Sequence, residues 1–415
     1  MQTHFQPPAH HLHSQALRLP DSVAPRAGPR ARMGAQALAD LVACRAALRE
    51  GSYTFFAASL LLPRAVREPA SALYAFCRLA DDAVDNEAAS GRDKLAAVAR
   101  LRTRLNAAYS GQAKGVVQDV AADRALAAVL SHFCIPRALP EALLEGFEWD
   151  AAGRRYQTME DLQGYAARVA ASVGAIMALL MGVRTPEGLA RACDLGVAMQ
   201  LSNIARDVGE DARFGRLYLP LQWLREAGID PDAWLARPVF NEAIASVVQR
   251  VLQAADVLYR RVDAGVAQLP LACRPGINAA RFLYAGIGHE VARRGLDSVS
   301  QRAVVPRARK AWLLARAMVS LSPARAAQPE LCLPAVAFLV QAAADGPPSQ
   351  CQPQSTRSAP WWRINQRVAE RAVWVIDLFE RLERHEQTAQ PLVRHSARQL
   401  VPHMQQGMLR VTPGR

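Results

Sequence analysis

A chain of 415 residues with 51% hydrophobic side chains can bury a sizeable core, as one large domain or two or three smaller ones, and this argues against wholesale disorder. Its formal charge of +13 rests almost wholly on arginine, since lysine occurs only at positions 94, 114 and 310. No zinc-finger, RNA-binding or homeodomain signature accompanies that charge, so a basic surface with affinity for anionic lipid is favoured over a nucleic-acid partner.

Residues 1–33 are rich in His, Pro and Arg, lack periodicity and read as a disordered leader without the apolar core of a signal peptide. From 34 to 322, apolar positions recur at i, i+3, i+4 and i+7, which predicts a succession of amphipathic helices. Breaks are expected at Gly51–Ser52, Pro63, 110–115, 136–140, Gly153, 182–186, 215–220, 228–231, Pro238 and 269–275. No alternating run bounded by hairpin turns stands out, so the expected class is all-α, a single catalytic domain. The longest apolar runs, 169–183 and 331–344, are shorter than the roughly 20 residues that span a bilayer. Residues 323–360 read as a linker. Residues 361–415 read as a C-terminal extension, helical over 361–386 and polar and basic thereafter. Seven cysteines without a CxxC pair fit reduced thiols in a cytosolic compartment.

Two acid-bearing segments stand out against this apolar background. In the first, Asp81 and Asp85 are four residues apart and share one helix face, with Arg78 and Tyr74 one and two turns before them. In the second, Gln200, Asn203, Asp207 and Asp211 recur at steps of three, four and four. They form one polar stripe on an otherwise apolar helix that begins near Leu189. Bare carboxylates in such surroundings need a compensating charge. Mg²⁺ takes oxygen ligands, accepts one or two carboxylates per ion and completes its shell with substrate phosphate. Arg206 is placed to bind phosphate or pair with a carboxylate, and arginine's planar fork suits a diphosphate. The pattern points to Mg²⁺ chemistry on a diphosphate beside a hydrophobic cavity.

The segments Tyr74-Ala-Phe-Cys-Arg-Leu-Ala-Asp-Asp-Ala-Val-Asp85 and Gln200-Leu-Ser-Asn-Ile-Ala-Arg-Asp-Val-Gly-Glu-Asp211 resemble the squalene/phytoene synthase family of head-to-head isoprenyl synthases, bacterial type. The second motif continues into Gly215-Arg-Leu-Tyr-Leu-Pro220. Further matches are Gly51-Ser-Tyr-Thr-Phe55, Val169-Ala-Ala-Ser-Val-Gly174, Tyr284-Ala-Gly-Ile-Gly-His-Glu290 and Arg302-Ala-Val-Val-Pro306 followed by Lys310. The resemblance implies an isoprenoid synthase bundle of helices around a deep central cavity. It implies that Asp81, Asp85, Asn203, Asp207 and Asp211 hold Mg²⁺, with Mn²⁺ as a substitute. Arg78, Arg206, Arg302 and Lys310 would hold diphosphate. Ser52 and Phe55 would stand near the cavity mouth, with Tyr74, Gln200 and Tyr284 near the reacting carbons.

The implied reaction joins two geranylgeranyl diphosphates into a C40 hydrocarbon without NADPH. The protein would be cytoplasmic, on the cytoplasmic membrane face, in contact with downstream carotenoid enzymes. One departure is visible: Ala167 stands where many family members carry Tyr, which leaves Tyr165 or Tyr284 to cover any role of that phenol. A C15-using squalene or dehydrosqualene synthase is the rival within the family. The rival from another class is a non-catalytic helical assembly factor; such relatives usually lose the acids, and both acid sets are intact here, which ranks it below the enzyme readings.

Overall fold

The computed structural model describes residues 35–51, 53–84, 91–110, 120–320 and 331–346. Ser52, Asp85, the leader and the 361–415 extension lie outside them; Asp81 belongs to a described helix, but its side chain is not described. Every regular element among these residues is helical: α1 (Ala35–Gly51), α2 (Tyr53–Leu60), α3 (Arg64–Val84), α4 (Gly91–Ser110), α5 (Ala121–His132), α6 (Ala138–Ala151), α7 (Met159–Ala166), α8 (Ser172–Leu180), α9 (Pro186–Arg213), α10 (Leu221–Glu226), α11 (Pro231–Ala236), α12 (Glu242–Gln268), α13 (Arg274–Arg293), α14 (Arg307–Val319) and α15 (Ala337–Ala344). The all-α expectation holds.

Local sequence explains the helix ends that matter. Thr158 and Asp161 form a reciprocal capping box at the start of α7. Thr185 caps α9 by accepting from the Gly188 amide at 3.2 Å, and Pro186 occupies the first helical position, where its missing N–H costs nothing. Asn241 caps α12 through the Ile244 amide at 2.8 Å. Gly182 and Gly215, both at positive φ, stop α8 and α9.

The long helices α9 and α12 make the most extensive pair and form the spine of the bundle, with α8 and α13 against α9 and with α1, α3 and α5 on another side. The approach of α9 to its neighbour requires glycine: a Cβ on Gly196 would lie 2.6 Å from the Ala170 carbonyl oxygen. Between α7 and α8 the chain widens into a π-helical turn, Ala167–Ala171, so that Met159–Leu180 runs as one continuous 22-residue helix. That helix is long and apolar enough to cross a membrane by length and composition, unlike the shorter run seen in the sequence. Its Leu162, Ala171, Ile176 and Leu179 are core residues.

Within the stretch expected to be a linker, 323–360, the described residues 331–346 pack onto the bundle. Pro334–Val336 form a 3-10 turn leading into α15, and Val336, Leu339 and Ala343 are fully buried. Three apolar residues at positions 336, 339 and 343 give the segment a helical face that the core accepts.

Candidate active site

The residues that converge on the central cavity come from α1, α2, α3, α6, α7, the π-helical turn, α8, α9, α12 and α13. The cavity volume is about 430 Å³, and most of its wall is apolar. Of the residues picked out in the sequence, Phe55, Tyr74, Arg78, Gln200, Asn203 and Tyr284 stand together in this wall. Three aromatic rings gather at one place. Phe55 lies with its centroid 5.3 Å from that of Tyr284 and 6.3 Å from that of Tyr74. Burial pushes the Tyr284 hydroxyl up, so the ring stays neutral.

Gln200, Asn203, Asp207 and Asp211 all lie on α9, the first two in the cavity wall and the acids further along the helix. Asp207 is held by two arginines. Arg206 donates from Nε at 2.7 Å and Nη2 at 2.5 Å, and Arg302 donates from Nε at 2.8 Å. Arg302 also reaches Glu210 at 3.3 Å. It arrives from a loop in which Asp297 accepts from the Val299 and Ser300 amides at 3.1 and 2.8 Å, a tight turn that carries the chain across α9. Burial pushes the Asp207 carboxyl up, but the two guanidiniums more than offset it and hold the group below the usual carboxylate range. One turn on, Asp211 goes the other way. Burial, reinforced by the charge of Asp207, pushes its carboxyl up to about 7.

These residues fit a divalent cation. The Oδ1 atom of Asn203 is buried without a hydrogen-bond partner among the described residues, and Asp211 lies in a locally negative environment that a cation would relieve. Among the described residues no group of three or more His, Cys, Asp or Glu side chains gathers as a metal cluster. The other acids of the expected ligand set are Asp85 and the side chain of Asp81, both outside the description. Lys310 is not part of the cavity wall; it sits in the first turn of α14, its amide bonded to the Pro306 carbonyl at 3.0 Å.

Sequence reasoning missed one constellation. Asp150, at the end of α6 and in the cavity wall, accepts from the Tyr165 hydroxyl at 2.9 Å and the Tyr218 hydroxyl at 2.8 Å. The two phenol rings stack at 5.2 Å, with Tyr156 5.1 Å from Tyr165. Burial, then the Asp150 charge, push both hydroxyls well up, so they serve as donors. Tyr165 on α7 and Tyr218 in the loop between α9 and α10 lie 15 and 68 residues from Asp150, and Tyr156 sits in the loop before α7, beyond the reach of helical periodicity. Ala167 is fully buried in the π-helical turn and is not a wall residue, whereas Tyr165 is. A phenol reaches the cavity in this chain from position 165.

Comparison with known proteins agrees with this geometry. Residues 48–309 match the squalene/phytoene synthase family. A phytoene synthase of Cereibacter sphaeroides is 55% identical over 336 residues, covering 78% of this chain and 91% of that one. A phytoene synthase of Rhodobacter capsulatus is also 55% identical, covering 74% and 90%. Among solved structures, a dehydrosqualene synthase in complex with a ligand superposes with a TM-score of 0.61 at 28% identity, covering 68% of this chain and 96% of that one. The isoprenoid synthase fold, the α9 motif and the relatives agree: the chain belongs to the squalene/phytoene synthase family and is a prenyltransferase of that kind.

Proposed function

We propose that the protein condenses two geranylgeranyl diphosphates head to head into phytoene through prephytoene diphosphate, with Mg²⁺ at the acid stripes. The observation that carries this reading is the α9 stripe itself. Asn203 offers to the apolar cavity a buried oxygen unpartnered among the described residues, and one helical turn further along α9 Asp207 lies between two arginines. Asn203, Asp207 and Asp211, with Asp81 and Asp85 of the other motif, would hold the metal. When bound, it supplies Lewis-acid stabilisation of the departing diphosphate.

Arg206 and Arg302 would transfer from Asp207 to the diphosphate oxygens, and Arg78 stands in the cavity wall beside Asn203 and Gln200. The allylic cation left behind would face the rings of Phe55, Tyr74 and Tyr284, whose π-faces attract positive charge. The apolar wall excludes the water that would capture that cation. The second substrate's alkene attacks it, proton loss closes the cyclopropane, and ionisation of this intermediate followed by rearrangement and a second proton loss gives phytoene.

The C20 substrate is supported by the 55% identical phytoene synthases; the solved dehydrosqualene synthase is the more distant relative. The decisive experiment is incubation of the purified protein with Mg²⁺ and C15 or C20 diphosphate, with and without NADPH, followed by mass analysis. A C40 hydrocarbon from C20 substrate without NADPH is expected; a C30 product alone would overturn the reading. Asp207→Ala is expected to lower turnover by at least a hundredfold with the helical circular dichroism retained, and near-normal turnover would remove Asp207 from the site.

Peripheral attachment to the cytoplasmic membrane face is part of the same reading. It is supported by α14, where Trp312 and Val319 are 57% and 80% exposed on a helix carrying Arg307, Arg309, Lys310 and Arg316 and no acid. Flotation with anionic vesicles is expected to carry the protein upward. Trp312→Ala with Arg309→Glu should leave it at the bottom of the gradient, and unaltered flotation of that variant would exclude α14.

A further inference from the structure

The cavity has a closed end as well as a reactive one. Its α9 wall runs from Asn203 back to Gly188, 15 residues, or about 22 Å of helix at the usual rise. At the far end the wall is made by Met181 after α8, by Gly188 and Arg191 in the first turns of α9, and by Val266 and Leu269 at the end of α12. An arginine is an unexpected floor for a hydrocarbon cavity, and the structure shows how it is made apolar. Arg191 is 6% exposed, and the carbon stem of its side chain lies against Gly265. Its guanidinium is drawn off: Nε pairs with Asp194 at 3.1 Å and Nη2 donates to the Leu331 carbonyl at 3.4 Å. Asp194 is fully buried and also pairs with Arg261 at 3.5 Å, and Arg261 donates to the same Leu331 carbonyl.

Leu331 opens the segment that the sequence presented as a linker, and residues 331–345 lie beyond the 48–309 stretch that matches the family. Behind the floor, the segment's 3-10 turn touches α7 and the π-helical turn, and α15 packs on α6, α8 and α9. Leu331, its side chain exposed, runs directly into this packed turn, and its carbonyl is the acceptor that both guanidiniums share.

We infer that Arg191, locked by Asp194 and the Leu331 carbonyl, together with Met181, ends the prenyl cavity and limits substrate length, and that residues 331–345 are the strap that holds this floor. The inference rests on the C20 reading given above. A longer chain can enter only by displacing a guanidinium from the fully buried Asp194 carboxylate, which is costly, whereas a chain that fits meets the carbon stem of Arg191. A C15 chain anchored at the same diphosphate end stops one isoprene unit short of the floor. The floor therefore discriminates between chains without touching the reacting carbons, so Arg191 is a specificity-determining residue, and Leu339 of the strap is a positioning residue that acts through it.

The test measures kcat/KM of the full chain for C15, C20 and C25 diphosphates with Mg²⁺, with thermal unfolding as a control. Met181→Phe, which fills the floor without altering any charge, is expected to lower C20 turnover at least tenfold with less than a twofold change for C15. Arg191→Leu is expected to raise C25 turnover at least fivefold relative to C20. Leu339→Ala is expected to shift the C20 to C15 ratio at least twofold in a protein that still unfolds cooperatively. Parallel changes for all three chain lengths, or no change in the ratios, would overturn the floor assignment and leave the proposed function standing. A wild-type protein inactive on both C15 and C20 would overturn both.

Discussion

Asp207 and Asp211 are one turn apart on α9, yet their carboxyls are driven in opposite directions: Arg206 and Arg302 donate to Asp207, whereas at Asp211 burial and the charge of Asp207 outweigh the attraction of Arg216. The same contrast of partner against burial governs Glu290, a fully buried side chain on α13. It pairs with Arg293 at 2.6 Å and Arg294 at 2.9 Å and is lowered to about 2, first by the Arg293 hydrogen bond, against its burial. A carboxyl that is more acidic in the folded state stabilises the fold above its unfolded value near 4.5. That contribution is lost as pH falls from there toward 2. Glu290→Gln is therefore expected to be less stable than the parent at pH 7, with the difference shrinking through that acid window, as denaturant titrations at stepped pH would show. A difference that stays constant from pH 7 to 3 would mean that the ion pairs contribute nothing to the acid response.

At the scale of elements, α9 carries both the chemistry and the packing, and one residue joins them. The Gly209 amide donates to the Ser298 carbonyl at 3.0 Å, and a Cβ there would lie far inside van der Waals contact distance of the Val299 carbonyl oxygen. The contact fixes the loop that brings Arg302 to Asp207. Gly209→Ala is expected to cost about 1–3 kcal/mol through overpacking against backbone, read as a lowered Tm, and to lower turnover beyond what the lost stability explains. An unchanged Tm would show that the loop yields freely. The α9 stripe was legible in the sequence because its spacing is local: Gln200, Asn203, Asp207 and Asp211 share a face by helical geometry alone. The breaks at Pro63, Gly153, Gly182 and Gly215 were legible for the same reason. The Asp150 constellation and the 331–346 strap were not. Asp150 has no helical neighbour of interest, and the α15 pattern is short, apolar and followed by Pro and Gly, which locally reads as loop.

Across the whole molecule, burial also sets the reactivity of the thiols. Cys44, Cys193 and Cys273 are buried and free, and burial pushes all three up, Cys44 and Cys273 to about 11. Since the thiolate is the reactive form, these positions are expected to resist alkylation at pH 8 in the folded protein and to react as it unfolds. Peptide mapping after timed iodoacetamide pulses across a urea series would follow all three. Labelling of any one in native buffer at the rate of a free thiol would show that its helix opens locally, apart from the bundle.

The pairing of Asp207 with Arg206 and Arg302 carries a consequence for the order of events at the mouth. Before substrate arrives, the acid and the two guanidiniums satisfy one another. A metal ion arriving alone must compete with two tethered cations for Asp207. A diphosphate arriving alone must compete with a tethered anion for the arginines. On the proposed reading, a divalent ion and a diphosphate arriving together would each free the other's partner, the carboxylate turning to the ion and the guanidiniums to the phosphate. Each ligand would then strengthen the other's binding by the same factor, as linkage requires. A divalent ion alone and a phosphate alone would both be disfavoured by one device, a carboxylate already held by two guanidiniums.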